Sequence, residues 1–463
     1  MNHASVIFSR AWILCGALAL GACTHSAISP EAQDPVAPDA WARGGEAGAA
    51  SVNWLAEFDD PSLQSLVAEA LDRNYSLEQA RAQLAQAEQA VVAVRANRFP
   101  QLAASLDGSR RSAEAAGGTS VVSANYSASL DLSWDVDLWG RLNKQQQAAF
   151  LSMEAQRARL RLAERALAAS TVKTVFDVRL QSQLSGVADR RLDNVTQSKH
   201  VVESGYRQGL NDALDLYLAR NQVERQQANL AAQRQRVLES SATLQLALAR
   251  YPDGDLAVAN TLPVISEGVP AGLPSELLLR RADLRQAWFN LLEADASLAV
   301  AHKARFPRLV LTGSAGVASA EFSDLLNTAG DSWSVVGGLT QPLFQAGRLA
   351  ANERQARERV REIEQQYLDL VYRAFAEVEN AISRDVSLRQ RYASFLEAEK
   401  NSTAALNLAL DQYQRGLVAY TTVLESQRQA FDAEETVLQL RNDLLQNRVD
   451  LFLALGGEFS TDY

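Results

Sequence analysis

The feature that most constrains this chain is a run of sixty-eight residues, 348–415, that contains neither glycine nor proline. As one continuous helix it would be about 100 Å long, several times the width of a globular domain. Apolar residues recur in it in steps of three and four, at Val360, Ile363, Tyr367, Val371, Ala374 and Val378. Other apolar residues lie beside that stripe, which predicts a helix that packs on two sides. Because such a helix cannot bury its own faces, it needs partners of similar length.

A second feature is an internal repeat at a constant offset of 207 residues. Four pairs of segments come into register: 77–80 with 284–287, 98–100 with 305–307, 140–142 with 347–349, and 206–210 with 413–417. One offset maintained over more than a hundred residues identifies a duplicated unit, and the period is far too long for a solenoid. The sequence therefore predicts one architecture built from two copies of a large motif.

Charge and composition exclude several classes of protein. The chain carries 45 Lys and Arg against 55 Asp and Glu, a formal net charge of −10, so nucleic acid is not an expected partner. His25, His200 and His302 are far apart in the sequence, and no His and Cys residues have the spacing of a metal site. We therefore predict a protein that is not an enzyme and has no metal or cofactor other than a covalent lipid.

The N-terminus is typical of a bacterial lipoprotein. Apolar residues 11–20 follow Arg10 and are too few to span a membrane as a helix, which predicts a signal peptide over residues 1–22. Residues 20–23, Leu-Gly-Ala-Cys, resemble the lipobox, which implies cleavage before Cys23 and lipid attachment to it. An ordinary signal peptide with an incidental cysteine is the alternative. Residues 23–61 would then form a lipid-anchored tether.

Two segments change from a helical period to a strict alternation of apolar and polar residues. In residues 125–136 the alternation is unbroken over twelve residues, about the length of one tilted membrane strand. Residues 101–111 would pair with it, and the second repeat offers residues 308–319 and 332–343. Alternation alone leaves a soluble hairpin with one wet face open as an alternative.

The number of strands favours an oligomer in a membrane. No later stretch qualifies as a membrane helix, so a protein of the outer membrane would have to span it by strands. Four strands in one chain leave two edges unpaired in lipid, at a cost of several kcal/mol per polar group. Two chains would give eight strands, whose interior side chains fill the barrel, whereas three would give twelve strands with space for a passage.

The two repeats are predicted to contain the same elements in the same order. Repeat 1 is predicted at 62–252, with a helical region at 62–99, a β-hairpin at about 101–136 and a helical hairpin at 141–250. A linker at 253–274 joins it to repeat 2 at 275–457, which has a β-hairpin at about 308–343 and a helical hairpin at 348–455. A C-terminal tail follows at 458–463. Pro100 and Pro307 would end the helices that lead into the strands, and Gly140 and Gly347 would mark the return from strand to helix. Ser76 is the expected cap inside the first helical region.

These segments resemble the TolC-like outer membrane efflux factors, in particular the lipoprotein branch called the NodT family. The resemblance covers essentially the whole mature chain, and its most specific parts are residues 54–63 (WLAEFDDPSL), 134–141 (WDVDLWGR), 342–349 and 413–428. It implies a mainly α fold with a membrane β-barrel, in which a homotrimer forms a twelve-stranded barrel from four strands per chain. A long periplasmic α-helical tunnel and an equatorial domain would complete the fold.

The same resemblance implies a function. The chain is expected to be the passive exit duct of a tripartite efflux pump in the outer membrane, docked to a periplasmic adaptor of the membrane fusion class. The third partner would be an inner-membrane transporter of the RND type. A duct for polypeptides of the type I secretion kind, and a lipid-anchored coiled-coil tether without a pore, are the alternatives.

The resemblance also implies a periplasmic gate just past the helical tips. Glu425 and Arg428 match an aspartate and an arginine of the family, and Thr421 stands where a relative has an apolar constriction residue. Asp212 and Asp215 lie in the corresponding region of the first repeat. Convergent carboxylates, tripled by symmetry, are expected to bind cations and pass charge-selective current. Charges that are merely solvated at helix ends are the alternative.

The tips themselves are expected to receive the adaptor. The candidate docking residues are Gly205, Gly209 and Leu210 in the first repeat and Gly416 and Leu417 in the second. The glycines also have a local explanation, because a tight reversal between two helices favours glycine.

Overall fold

A computed structural model describes residues 38, 40–42, 54–114, 120–210, 212–256, 258–263, 280–325 and 330–457. The predicted signal peptide, Cys23 and the C-terminal tail lie outside the described residues. The described chain divides into two compact units. We call residues 83–157 and 286–368 the sheet unit, and residues 35–82, 158–285 and 369–463 the helical unit.

Long helices make up most of the described chain. In chain order the helices are α1 (Pro61–Arg73), α2 (Tyr75–Ala96), α3 (Arg141–Arg207), α4 (Ala213–Ala247), α5 (Ala282–Lys303), α6 (Arg348–Gln414) and α7 (Tyr420–Ala454). Short 3₁₀ helices cover Trp54–Phe58 and Phe322–Asp324. Among the described helices, none is both long enough and apolar enough to cross a membrane.

Helix lengths reproduce the repeat. Helices α3 and α6 each have 67 residues, α4 and α7 each have 35, and α2 and α5 each have 22. Each pair begins 207 residues apart, which is the offset found in the sequence. The predicted duplication is therefore confirmed.

The first helical region is divided into two helices, as an internal cap implies, but the capping residue differs from the expected one. Asn74 has an extended backbone that ends α1, and its side-chain oxygen accepts hydrogen bonds from the backbone N–H groups of Ser76 (3.0 Å) and Leu77 (3.2 Å). Asn74 therefore caps α2, which corrects the expected cap at Ser76. The helix also ends earlier than expected, at Ala96, and is followed by a turn.

The strands form one antiparallel sheet in the order β1-β2-β3-β4. They cover β1 (Gln101–Glu114), β2 (Ser120–Val136), β3 (Arg308–Ser319) and β4 (Gly330–Thr340). The first two strands are longer than the alternation predicts. The fourth ends at Thr340 rather than at residue 343, because Pro342 has no N–H group to continue the ladder. The Gln341 side chain instead donates a hydrogen bond to the Arg305 carbonyl oxygen (3.0 Å).

The pairing register gives the sheet one apolar face and one polar face. The apolar face carries Leu102, Leu106, Leu130, Leu132, Trp134, Leu309, Leu311, Trp333, Val335 and Leu339. The polar face carries Ser105, Asp107, Ser127, Ser129, Asp131, Ser133, Asp135, Thr312, Ser314 and Ser334. Hydroxyl groups on that face bond to one another across strands, at 2.7 Å between Ser105 and Ser129 and 2.9 Å between Ser314 and Ser334. The sheet is therefore amphipathic.

The main core of the helical unit forms around a segment near its N-terminus, residues 54–62, which we call the N-terminal clasp. Trp54 is 1% exposed and stacks on Phe452 with ring centroids 5.7 Å apart. Phe58 meets Phe176 edge-on at 5.2 Å. The clasp thereby joins α3 to α7 through aromatic contacts, and each such pair contributes about 1 kcal/mol beyond its buried area.

A buried arginine completes the clasp. Arg179 on α3 is 2% exposed and contacts the Asp60 carboxylate at 2.6 Å, the Ser62 hydroxyl at 3.0 Å and the Thr261 carbonyl oxygen at 3.2 Å. Burial alone would raise the pKa of Asp60, but the hydrogen bonds from Ser62 and Arg179 outweigh it and lower that pKa. The ionised carboxylate is therefore favoured in the folded state.

We expect Arg179→Met to lower the free energy of unfolding by about 3 kcal/mol at neutral pH, because it leaves the partly buried Asp60 carboxylate without its cation. Asp60 has a lowered pKa in the fold, so its contribution is complete above the ordinary value of 3.8 and is lost as the pH falls through the folded value. The difference between variant and parent should therefore shrink below about pH 4. Thermal unfolding followed by helical circular dichroism measures both effects.

Arg190→Met is the matched control, because Arg190 lies on the same helix and pairs with Glu434 but its side chain is 60% exposed. A change below about 1 kcal/mol is expected there. Equal losses in the two variants would contradict the role given to the clasp.

Candidate functional site at the helical tips

The two long hairpins reverse direction through the same turn. After α3, the N–H of Leu210 donates to the carbonyl of Gly205 (2.9 Å) and the N–H of Gly209 to that of Tyr206 (3.0 Å). After α6, Leu417 donates to Gln412 (2.9 Å) and Gly416 to Tyr413 (2.9 Å). Gly209 and Gly416 have φ angles of 73° and 72°, the left-handed conformation of a Schellman turn. The turns therefore satisfy helix-end carbonyls and require glycine for backbone reasons.

Each turn leaves a leucine exposed at its outermost point. Leu210 is 76% exposed and Leu417 is 69% exposed. In a Schellman turn this position commonly packs on an apolar residue five positions earlier, but here those residues are Gly205 and Gln412. Leu214 and Tyr217, at 66% and 67% exposed, extend the apolar surface along the start of α4. The local fold gives no reason for these side chains to be apolar, which points to a partner.

Behind the turns, the ends of α3, α4, α6 and α7 pack on one another. The shared core contains Val202, Leu216, Ala219, Ala409, Tyr420 and Val423. The rings of Tyr413 and Tyr420 lie 5.4 Å apart. One turn further along α7, the Gln427 amide donates hydrogen bonds to Asn194 (2.8 Å) and Ser198 (2.9 Å) on α3. Apolar packing and buried amide bonds thus hold the tips of both repeats together.

At the tip, Asp215 of the first repeat lies near Tyr420 of the second. Burial raises the pKa of Asp215, and the nearby charge of Asp212 raises it further. Burial, together with the charges of Tyr413 and Asp215, raises the pKa of Tyr420 to about 12. Within the described part of the chain, neither Asp212 nor Asp215 makes an ion pair, and Arg207 and Arg220, on either side of the turn, both pair with Glu203. Their negative charge is therefore uncompensated at the tip.

The acidic residue of the second repeat is compensated. Arg428 forms a two-pronged ion pair with Glu425, at 2.5 Å and 3.0 Å, and reaches Asp432 at 3.2 Å. Hydrogen bonds from Arg428 and Gln429 lower the pKa of Glu425, whose side chain is 51% exposed. Thr421 is exposed in the first turn of α7.

The structure thus brings the predicted gate residues together as two separate pairs, Asp212 with Asp215 and Glu425 with Arg428. No hydrogen bond or ion pair between the two pairs occurs in the described ranges. Tyr420 was not among the predicted residues, although its place on the apolar stripe three residues before Val423 indicates burial. The gate itself stays a prediction.

The four predicted junction residues lie where strands and helices meet. Gly140 and Gly347 have φ angles of 72° and 84° and precede α3 and α6 directly. Pro307 precedes β3, and its carbonyl oxygen accepts a hydrogen bond from the Trp139 indole (2.7 Å). Pro100 precedes β1 in the same way. The chain therefore changes direction at equivalent places in both repeats.

One further residue at the junction was missed by sequence reasoning. The Asp137 carboxylate accepts hydrogen bonds from the backbone N–H groups of Leu142 (2.9 Å) and Asn143 (2.8 Å). Asp137 therefore satisfies the first turn of α3 from outside the helix, which no four-residue capping signature indicates.

Two long helical hairpins, each preceded by a strand pair, with a sheet apolar on one face only, define a two-repeat channel protein of the TolC-like fold. The family described as "Outer membrane efflux protein" matches residues 66–250 and 273–457, two segments that again begin 207 residues apart. The chain belongs to this outer membrane efflux protein family. It is an outer-membrane efflux channel.

Individual proteins show the same relationship over nearly the full length. The chain is 31% identical to the solvent efflux pump outer membrane protein SrpC of Pseudomonas putida, over 96% of this chain and 97% of that protein. It is 30% identical to the cation efflux system protein CusC of Escherichia coli strain K12, over 96% of this chain and 98% of that protein. The solved structure of the outer-membrane channel OprN aligns with this chain at a TM-score of 0.84 and 26% identity. The alignment covers 92% of this chain and 98% of that one.

Proposed function

We propose that three copies of this chain form the outer-membrane exit duct of a tripartite efflux pump. The observation that carries this proposal is the open sheet, whose outer strands β1 and β4 are each paired on one side only. In lipid, the unpaired backbone groups of both edges would cost several kcal/mol each. Pairing β4 of one copy with β1 of the next removes every edge, and three copies close a twelve-stranded barrel.

The two faces of the sheet support the same arrangement. With the apolar face toward lipid, exposed side chains such as Leu102 (68%), Trp333 (79%) and Val335 (74%) become buried in the membrane. The serine-rich polar face then lines the interior, where Asp107 and Asp131 remain hydrated. Such a wall conducts solutes without a fixed binding site, as a passive duct requires.

A lipid on Cys23 and the tether of residues 23–61 complete the proposal at the N-terminus. The clasp at residues 54–62 supports it, because the last residues of the tether are buried against α3 and α7 and so attach it firmly to the fold. The channel works without enzymatic chemistry and without a cofactor apart from the covalent lipid.

The partners are a periplasmic adaptor at the tips and an inner-membrane transporter of the RND type. The exposed leucines of the two Schellman turns support docking, because they offer equivalent apolar knobs in both repeats. The cargo is set by the transporter. The names of two relatives, one for solvents and one for cations, at 31% and 30% identity, support a duct whose wall does not select.

Docking of the adaptor at the tips is tested by the double variant Leu210→Asp/Leu417→Asp. We expect this variant to form normal heat-modifiable trimers in the outer membrane but to lose at least tenfold in adaptor affinity, because charges replace two exposed leucines that the adaptor would bury. Co-purification with the adaptor, and efflux by cells that depend on this channel, measure the loss. Leu238→Asp is the control, since Leu238 is 48% exposed on α4 outside the tip. Normal efflux by the double variant would contradict docking at the tips.

The gate is tested by single-channel conductance in planar bilayers. We expect Asp212→Asn/Asp215→Asn to lose cation preference, because these are the uncompensated carboxylates of the tip. Arg428→Gln should instead increase cation preference, because it leaves Glu425 without its counter-charge. The reversal potential in a salt gradient reports both effects. An unchanged reversal potential in both variants would rule out charge selection at this level.

A further inference from the structure

Positive charge is concentrated where the strands of the sheet unit meet the helices. We define the junction belt as residues 95–101, 134–144, 302–308 and 341–354. These segments contain nine Arg and Lys residues and three acidic residues, although acidic residues outnumber basic ones in the whole chain, 55 to 45. The belt therefore has the opposite charge to the protein that carries it.

None of the three acidic side chains of the belt is exposed, and each already has polar partners. Asp135, with a side chain 16% exposed, binds Arg141 at 2.7 Å and Arg308 at 2.9 Å. Glu353, 9% exposed, binds Arg305 at 2.6 Å and Arg357 at 3.0 Å. Asp137 accepts the backbone N–H groups at the start of α3. The charge that is left unpaired in the belt is therefore positive.

Two arginines of the belt, Arg98 and Arg348, are exposed. Arg98 donates a hydrogen bond to the neutral amide oxygen of Gln146 (2.7 Å), and Arg348 donates one to that of Gln345 (2.6 Å). Neither forms an ion pair with a carboxylate in the portion of the chain that the structure describes. Both guanidinium groups are thus free to bind an external anion.

The belt lies directly beside the apolar face of the sheet. The indole N–H of Trp134, on that face, donates a hydrogen bond to the Arg98 carbonyl oxygen (3.0 Å). Phe99 next to Arg98 is 59% exposed, and Leu343 and Phe344 near Arg348 are 91% and 86% exposed. Aromatic and aliphatic side chains beside basic ones are typical of the boundary between hydrocarbon and head groups.

The opposite end of the sheet lacks this charge. Residues 110–123 and 319–332 contain two basic residues, Arg110 and Arg111, against four acidic ones, Glu114, Glu321, Asp324 and Asp331. A general requirement for solubility would not place the excess of positive charge at one end only.

We propose that the junction belt binds the phosphate head groups of anionic phospholipids in the membrane leaflet at the helical end of the sheet. Arg98 and Arg348 contact the phosphates, while Phe99, Leu343 and Phe344 enter the acyl region beside them. This binding fixes the depth of the sheet in the membrane. The proposal rests on the orientation proposed above, with the apolar face toward lipid.

The test is a titration of the full-length trimer, purified in a neutral detergent, with phosphatidylglycerol or phosphatidylcholine. Native mass spectrometry counts the bound lipids. We expect the parent protein to bind phosphatidylglycerol more tightly, and Arg98→Gln/Arg348→Gln to lose about tenfold or more in affinity for that lipid alone. Arg98→Lys/Arg348→Lys keeps the charges and should keep the preference. Raising the salt concentration should weaken the preference.

Arg110→Gln/Arg111→Gln is the matched control, with two adjacent arginines removed from the other end of the same sheet. This control variant should bind phosphatidylglycerol with the same affinity as the parent protein. Equal affinity of the parent for the two lipids, or an equal loss in the control variant, would overturn the proposal. Conductance of the parent protein in bilayers of pure phosphatidylcholine tests the proposed channel separately, because channel formation does not require the anionic lipid. A conducting parent without a preference for phosphatidylglycerol would overturn the lipid proposal alone.

Discussion

The backbone N–H and C=O groups along the outer edges of β1 and β4 are the constraint on which the rest of the structure depends. In lipid, one such four-stranded sheet would leave both of these edges unpaired. The chain therefore needs further copies, and the copies must meet at a defined level. All four strands meet a long helix at the same end of the sheet, because α2 precedes β1, α3 follows β2, α5 precedes β3 and α6 follows β4.

Duplication of one unit explains how the chain meets this constraint. Equal helix lengths in the two repeats bring both hairpin tips to one shared apolar core, where Val202 of the first repeat packs with Tyr420 of the second. The same symmetry places an exposed leucine at each tip. The departures from symmetry are informative, because the acidic pair of the first repeat is uncompensated whereas Glu425 in the second is held by Arg428. The two repeats share a scaffold but carry different charge.

Much of this fold could be predicted from the sequence, because its signals are periodic. The offset of 207 residues, the alternation in residues 125–136 and the turn glycines Gly209 and Gly416 each depend on local chemistry that one sequence displays. The predictions that failed concern the exact residue at which a helix or strand begins or ends. Asn74 rather than Ser76 caps α2, because Asn74 also donates to the Ala247 carbonyl oxygen (3.0 Å), a contact far away in sequence. The end of β4 likewise depended on whether the ladder could continue past Gln341.

The site was less legible than the fold. Sequence position placed Asp215 and Glu425 in corresponding regions of the two repeats, but their pKa values shift in opposite directions, because only Glu425 forms an ion pair with an arginine. Pairing of this kind depends on side-chain geometry that spacing does not determine. The junction belt is a further case, since its nine basic residues are distributed over four segments that come together only in the folded sheet unit.

Disulfide cross-linking between β1 and β4 tests the central claim most directly. Single cysteines introduced along β1, each combined with one along β4, would be oxidised in intact outer membranes and separated by mass. If copies of the chain pair these edges, one register should give a ladder of linked species that ends at three chains. Cross-links confined to single chains, or a ladder that does not stop at three, would contradict the closed trimer.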